Sequence, residues 1–173
     1  EKNHWHKTTL WEEATRVPFI IFAPGFSPGR SESPVSLIDL FPTLNDLCGF
    51  PEVPEHDGMS LVPLLEDPQN ARMEPAIIQF KVGNVAVRSE RFRYIRYQDG
   101  SEEFYDHQVD PYEWTNLATH PDYETELSEL ATWATTTWSE SARKKPAFAF
   151  DPNAFTWTEK SSGRRIDGRE HLP

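Results

Sequence analysis

The 173-residue chain is 37% hydrophobic and 13% aromatic with 6 Trp, a composition that builds a core and excludes a disordered polymer; its length suits one domain, or a small domain attached to part of a larger one. A net charge of −11, from 28 acidic against 17 basic residues, disfavours nonspecific nucleic-acid binding and attraction to anionic membranes, so an anionic substrate would have to meet a local basic cluster such as Lys7 or Arg88 to Arg96. The single cysteine, Cys48, excludes an internal disulfide framework and a multi-Cys zinc site, and no apolar run approaches the roughly 18 residues of a membrane span.

The chain opens on EKNHWHKTTLWEEATR, a loop leading into a short helix from about Thr9 to Ala14, without Met and without a signal-peptide pattern. Such an opening suggests that the natural N-terminus lies elsewhere. Val17–Ala23 is a continuous apolar run closed by Pro24-Gly25, and it reads as a strand buried on both faces of a parallel sheet. A Ser/Pro/Gly loop from 26 to 34 follows. Apolar residues at 37, 38, 41, 44, 47 and 48 then repeat at helical spacing up to Gly49, a natural C′ residue, with Pro42 predicting a kink or a break into two helices. Residues 51–75 form a proline-rich connection.

From 76 the texture changes to short runs of β-formers, 76–80, 84–89, 92–98 and 103–106, with Asp99-Gly100 as a hairpin signal. This is the pattern of an antiparallel meander. Pro121-Asp122-Tyr123 opens a helix predicted to run to about Trp138, whose Leu127, Leu130, Ala131, Ala134 and Trp138 form one apolar face. Residues 139–173 show no usable period. The expected organisation is therefore 1–75 as part of a large α/β domain, 76–138 as a small antiparallel sheet with a packing helix, and 139–173 as an irregular tail.

Four segments resemble, in order, motifs of the C-terminal third of a type I sulfatase, the formylglycine-dependent branch of the alkaline phosphatase superfamily. Glu1-Lys2-Asn3-His4-Trp5-His6-Lys7 with Glu12 to Pro18 is similar to its G-E-x-x-x-W-x-K stretch and x-A-T-x-V-P strand entry. Val35 to Leu44 resembles its V-S-L-x-x-L-x-P-T-L helix, and Asp57 to Leu65 its D-G-x-S-L-x-P-L-L turn. Phe104-Tyr105-Asp106 with Asp110 to Leu117 resembles its L-Y-D-x-x-x-D-P-x-E-x-x-N-L ending. Each motif alone is weak; four in the family's order are specific, and the texture is nearest the iduronate-sulfatase-like and polysaccharide sulfatases. The resemblance implies the C-terminal portion of an alkaline-phosphatase-like α/β sandwich, a mixed sheet flanked by helices, plus the small C-terminal subdomain.

It also implies roles. Lys7 matches the family lysine that contacts a sulfate oxygen, where a compact ammonium stabilises charge built up during ester cleavage. His6 is a candidate to assist the leaving alcohol, and His4 and Trp5 are candidate pocket-wall residues. His4 and His6 share a face of an extended segment, but two His without a third ligand make a poor metal site. Arg91 and Arg93 alternate onto one face with Tyr97 and are candidates for a sulfated sugar, or else form a solvated edge that resists strand pairing. Cys48 lies in Cys-Gly-Phe-Pro-Glu rather than the family's C/S-x-P-x-R, so it reads as a buried thiol at a helix end and not as the nucleophile. Asp106 and Asp110 read as turn caps.

No metal ligand is expected in this chain. Calcium, the formylglycine and the N-terminal part of the same sulfatase are implied upstream. The substrate implied is a sulfated carbohydrate and the setting periplasmic, secreted or, in a eukaryote, lysosomal, with no nucleic acid and no membrane. The alternatives are a phosphate or phosphonate monoester hydrolase of the same superfamily and a noncatalytic carbohydrate-binding module.

Overall fold

The computed structural model describes residues 2, 7–138 and 148–168. The chain divides into two units, Glu1–Trp138 and Ser139–Pro173.

The first unit is organised by a four-stranded antiparallel sheet in sequential order: β1 (Ala76–Gln79), β2 (Val85–Arg88), β3 (Phe92–Arg96) and β4 (Glu102–Asp106). The β3–β4 turn is the one that Asp99-Gly100 predicts. Gly100 N–H donates to Tyr97 O at 3.0 Å, Gly100 takes φ 84°, and the Asp99 carboxylate accepts from Ser101 N–H at 2.9 Å. This is a tight turn closed by a left-handed residue, a conformation that costs glycine nothing.

Because side chains alternate along each strand, the sheet has two distinct faces. One buries Val85, Val87, Tyr94 and Phe104 against a helix, α1 (Glu124–Ala131), which contributes Leu127 and Leu130. Each large side chain so buried contributes about 1.5–3 kcal/mol. A 3-10 turn, Pro121–Tyr123, leads into this helix, and the His120 ring accepts from Asp122 N–H at its start. The helix stops at Ala131, short of the expected Trp138. Four threonines between 132 and 137 compete for the backbone: Thr132 Oγ1 donates to Glu129 O at 2.6 Å and Thr135 Oγ1 to Thr137 O at 3.2 Å. Ala134 and Trp138 nevertheless pack on the predicted apolar cluster.

The second face buries Leu10, Ala86, Ile95 and Tyr105, flanked by Trp11 and Tyr97. It is covered by the N-terminal segment, which includes a single helical turn, α2 (Glu12–Thr15).

Between that turn and the sheet lies a proline-rich frame. A 3-10 turn (Leu37–Asp39) with a Ser36/Asp39 capping box runs into α3 (Leu40–Leu47), so the break precedes Pro42, which sits in the first turn where its missing N–H is not needed. Gly49, at φ 69°, ends the helix, its N–H bonding Asp46 O while Phe50 N–H bonds Asn45 O. Asp39, fully buried, accepts from Ser36 and Met59 N–H and pairs bidentately with Arg72 at 2.6 and 3.1 Å. Thr43 Oγ1 accepts Leu61 N–H at 2.9 Å. The 35–44 and 57–65 segments are thus bound to each other, and α4 (Val62–Glu66) follows.

Two expectations fail in this unit. Val17–Ala23 carries no strand pairing and leaves Ile20 90% and Phe22 93% exposed, because no neighbouring strand lies beside it among the described residues. Cys48 caps α3 but is exposed rather than buried, on a helix whose apolar Phe41 and Leu44 are exposed as well.

The second unit is not irregular over its described part. β5 (Phe148–Asp151), β6 (Thr156–Glu159) and β7 (Arg165–Asp167) form an antiparallel sheet on which Phe150 and Trp157 pack at 4.5 Å between ring centroids. Its signals were the Phe148/Phe150 and Thr156/Thr158 alternations bounded by Pro152-Asn153 and Gly163, runs too short for a periodicity reading to separate from loop.

Candidate functional site

The segment that carries Lys7 is held on the second sheet face at several points. Leu10 is buried and its carbonyl accepts from Arg93 Nη1 at 2.8 Å. Trp11 Nε1 donates to Glu103 Oε2 at 2.7 Å. Glu12 N–H donates to Glu113 Oε2 at 3.0 Å, and the Glu12 carboxylate accepts from Arg88 Nε at 3.2 Å and from Arg93 Nη2. Lys2 lies 4.6 Å from the Trp11 ring centre and 4.2 Å from that of Tyr105, donates to Tyr105 Oη at 2.8 Å and stands 3.9 Å from Glu103. Lys7, exposed, sits in a bend three residues before Leu10. Thr8 follows it at φ 81°, an unfavourable conformation for a β-branched residue that its surroundings must hold in place.

The register explains the charge network beneath. Arg88 and Arg93 are direct cross-strand partners, an arrangement that repels unless an anion bridges it. Glu12 is that anion. Arg93, only 1% exposed, also lies 2.7 Å through Nε from Glu113 Oε1, as an ion contact rather than an aligned hydrogen bond. His107 closes the network, its Nδ1 3.1 Å from Arg88 Nη2 and its Nε2 2.9 Å from Glu113 Oε1. Arginine can only donate, so Nδ1 is the acceptor and Nε2 carries the proton given to Glu113.

Burial pushes the Glu12 and Glu113 carboxyls up, but for Glu12 the Arg93 and Arg88 guanidinia, and for Glu113 the His107 hydrogen bond with the Arg93 charge, more than offset it and hold both below the usual carboxylate range. Burial against the two rings lowers the Lys2 ammonium, countered only in part by Glu103. Burial likewise raises the Tyr97 and Tyr105 phenols, and Glu103 adds to it.

Glu12, His107 and Glu113 place ligand atoms within 4.8 Å of one another. Two guanidinia already neutralise these carboxylates, and one imidazole with two carboxylates is a poor match for calcium, which takes six to eight oxygens. The trio reads as an ion network.

The residues proposed from sequence separate. His4, Trp5 and His6 lie outside the described residues. Arg93 faces inward, and the expectation that it lines a sugar groove is corrected: alternation fixed its face, but that face is covered by residues 10–12. Arg91 does not share it. It precedes β3, pairs with Asp106 through Nε at 3.0 and 3.1 Å and Nη2 at 2.6 Å, and keeps 44% of its side chain exposed. Asp106 and Asp110 act as turn caps, accepting from Gln108 and Thr115 N–H. Sequence reasoning missed Glu12, Arg88, Glu103, His107 and Glu113 as a group. The available signal was the Asp99-Gly100 turn, which sets Glu103 opposite Ile95 and Tyr105 opposite Arg93.

A family model described as N-sulphoglucosamine sulphohydrolase, C-terminal, matches residues 1–137. A sulfatase of Formosa agariphila is 34% identical over 131 residues, covering 75% of this chain and 26% of its own length. A choline-sulfatase of Rhizobium meliloti is 36% identical over 129 residues, covering 70% of this chain and 25% of its own. Among solved structures, a phosphonate monoester hydrolase of Silicibacter pomeroyi overlaps 74% of this chain and 30% of its own with TM-score 0.63 at 26% identity. The chain therefore spans about a quarter of the length of the curated relatives it matches.

Proposed function

From a chain that belongs to the N-sulphoglucosamine sulphohydrolase C-terminal family, we propose the C-terminal part of a sulfuric-ester hydrolase that removes sulfate from a sulfated carbohydrate. The observation that carries the reading is that the family match includes Lys7 and the whole segment tied to the sheet face around it. The delta 4,5-hexuronate-2-O-sulfatase of Bacteroides thetaiotaomicron, 33% identical over 136 residues, supports the carbohydrate class. The alkaline-phosphatase-like fold accords with the likeness to the phosphonate hydrolase.

In this reading Lys7 presents its ammonium to a nonbridging sulfate oxygen, and its charge contact strengthens as negative charge grows in the transition state. His6 assists the departing alcohol; His4, Trp5 and Arg91 contact substrate. The upstream part supplies the nucleophile, a formylglycine, and the calcium site, for which the described residues here offer no suitable donor set. That upstream part also covers the exposed apolar run around Ile20 and Phe22. The enzyme works in a periplasmic, secreted or lysosomal setting, and no described helix is long and apolar enough to cross a membrane.

Lys7→Ala in the complete enzyme is the direct test. With sulfated disaccharides, kcat/KM is expected to fall by about two to three orders of magnitude, the usual cost of one transition-state charge contact; an unchanged kcat/KM removes Lys7 from the mechanism. A second reading, phosphate or phosphonate monoester hydrolysis, is favoured by the Silicibacter pomeroyi overlap. Higher kcat/KM on para-nitrophenyl phenylphosphonate than on every sulfate ester tried would establish it instead.

A further inference from the structure

The second unit carries an open sheet face lined by rings. Phe150 stands directly opposite Trp157, and Trp157 opposite Ile166, so the three share one side of the sheet; Phe148, two residues before Phe150, shares it too. Phe155 meets Phe150 edge to face at 5.5 Å between ring centroids, and its ring lies against Gly168, where an added Cβ would come within 2.8 Å of it. None of the described residues in this unit is buried, and the four aromatic side chains are between 37% and 44% exposed. A three-stranded sheet with one apolar face is a surface that awaits a cover.

The charge of this part of the chain is opposite in sign to that of the rest. Residues 139–173 carry 7 Lys and Arg against 5 Asp and Glu, whereas residues 1–138 carry 10 against 23. Lys160 and Arg164 are exposed in the β6–β7 turn, and Arg164 lies at the end of the aromatic face: its carbonyl accepts from Glu159 N–H at 2.8 Å, and Glu159 is the cross-strand partner of Phe148. Two carboxylates here are engaged locally, Asp151 accepting from Asn153 and Ala154 N–H at 2.9 and 3.2 Å and Glu159 from Ser162 Oγ. The face of an aromatic ring is negative and attracts the polarised C–H groups of a sugar ring, while ammonium and guanidinium groups pair with sulfate. Rings beside cations therefore fit a sulfated sugar chain.

We propose that the aromatic face of β5–β7 is a second binding surface for sulfated polysaccharide, with Phe150 and Trp157 against sugar rings and Lys160 and Arg164 against sulfate groups. The ligand class rests on the functional reading given above. The surface itself lies beyond residue 137, where the family match ends.

The test measures the Kd of the complete enzyme for dextran sulfate and for neutral dextran by affinity electrophoresis, beside kcat/KM on a sulfated disaccharide. Trp157→Leu keeps an apolar side chain but removes the ring; it is expected to weaken dextran sulfate binding about five- to tenfold and to leave disaccharide kcat/KM within about twofold. Lys160→Gln with Arg164→Gln is expected to weaken binding as well and to make it less sensitive to salt. An unchanged Kd in Trp157→Leu, or equal affinity for neutral dextran, would overturn the proposal. So would a lower mass in analytical ultracentrifugation on Trp157→Leu, which would make the face an interface between copies of the chain. If no sulfate ester is turned over while the Kd responds as expected, the functional reading fails and the surface stands; with normal turnover and an unresponsive Kd, the surface alone fails. Should Trp157→Leu lose its cooperative thermal transition, Phe150→Leu makes the same measurement with a smaller change in volume.

Discussion

At the scale of single residues, the feature that most constrains this chain is a pair of arginines directly opposite each other on adjacent strands. Glu12 bridges Arg88 and Arg93, and Arg93 has almost no access to water. Glu12→Ala leaves two facing guanidinia without their shared anion, and removing one partner of a buried ion pair costs about 3–5 kcal/mol. The midpoint of urea unfolding should fall accordingly. Glu12→Gln keeps the shape but not the charge and should recover only part of the loss. The same network sets an acid limit. Glu12 and Glu113 have folded-state pKa values below their unfolded values of about 4.3. Their stabilisation is therefore complete above the unfolded range and disappears as pH falls through the lower folded values. Urea midpoints should be level between about pH 7 and 5 and drop below about pH 4, with a shallower drop in Glu12→Gln. Little of this was legible beforehand. Strand alternation grouped Arg93 with Tyr97 but also with Arg91, which precedes the strand; a period of two does not say where the strand starts or what lies on the face, and the segment that covers Arg93 comes from about eighty residues earlier in the chain.

At the scale of elements, the parts that were legible are those whose signals are local. The meander was readable because alternation and an Asp-Gly turn specify a hairpin within ten residues, and the helix after Pro121 because its apolar stripe repeats every turn. The run Val17–Ala23 misled for the opposite reason: apolar composition states a need for neighbours, not their presence. A sharper test of element packing is Gly58, in the Asp57 to Leu65 turn. A Cβ there would stand 2.2 Å from Ile38 O and 2.6 Å from Ile38 C, both backbone atoms that cannot swing aside. Gly58→Ala should push the 57–61 turn off the Leu37–Asp39 turn and weaken the Met59 N–H bond to Asp39, at a cost of roughly 1–3 kcal/mol. Thermal unfolding measures it. Gly100→Ala, with nothing within 4 Å of the added methyl, should cost only the strain of its positive φ.

At the scale of the whole molecule, Ile20, Phe22, Phe41, Leu44 and Phe50 are exposed, more large apolar side chains than isolated surface positions account for. If the upstream part of the enzyme covers them, the 173-residue chain made alone should bind an environment-sensitive dye such as anilinonaphthalene sulfonate and self-associate. Phe22→Asp should relieve this in the isolated chain and lower the melting temperature of the complete enzyme. The second unit, with its small sheet, falls outside the family match that ends at residue 137, so family motifs could not reveal it.

The bond from Glu12 to Glu113 spans 101 residues and that from Lys2 to Tyr105 spans 103, which gives the lysine bend a place in time as well as in space. Closing loops of that length is among the slower steps of folding, and neither can close until the last strand and the turn after it exist. During synthesis Glu12 emerges 101 residues before Glu113, so the bond between them forms only after Glu113 has left the ribosome. A chain arrested before that residue would carry Lys7 without the Glu113 anchor of the segment that follows it, so on the proposed reading of Lys7 competence for catalysis would arrive only with the far end of the sheet.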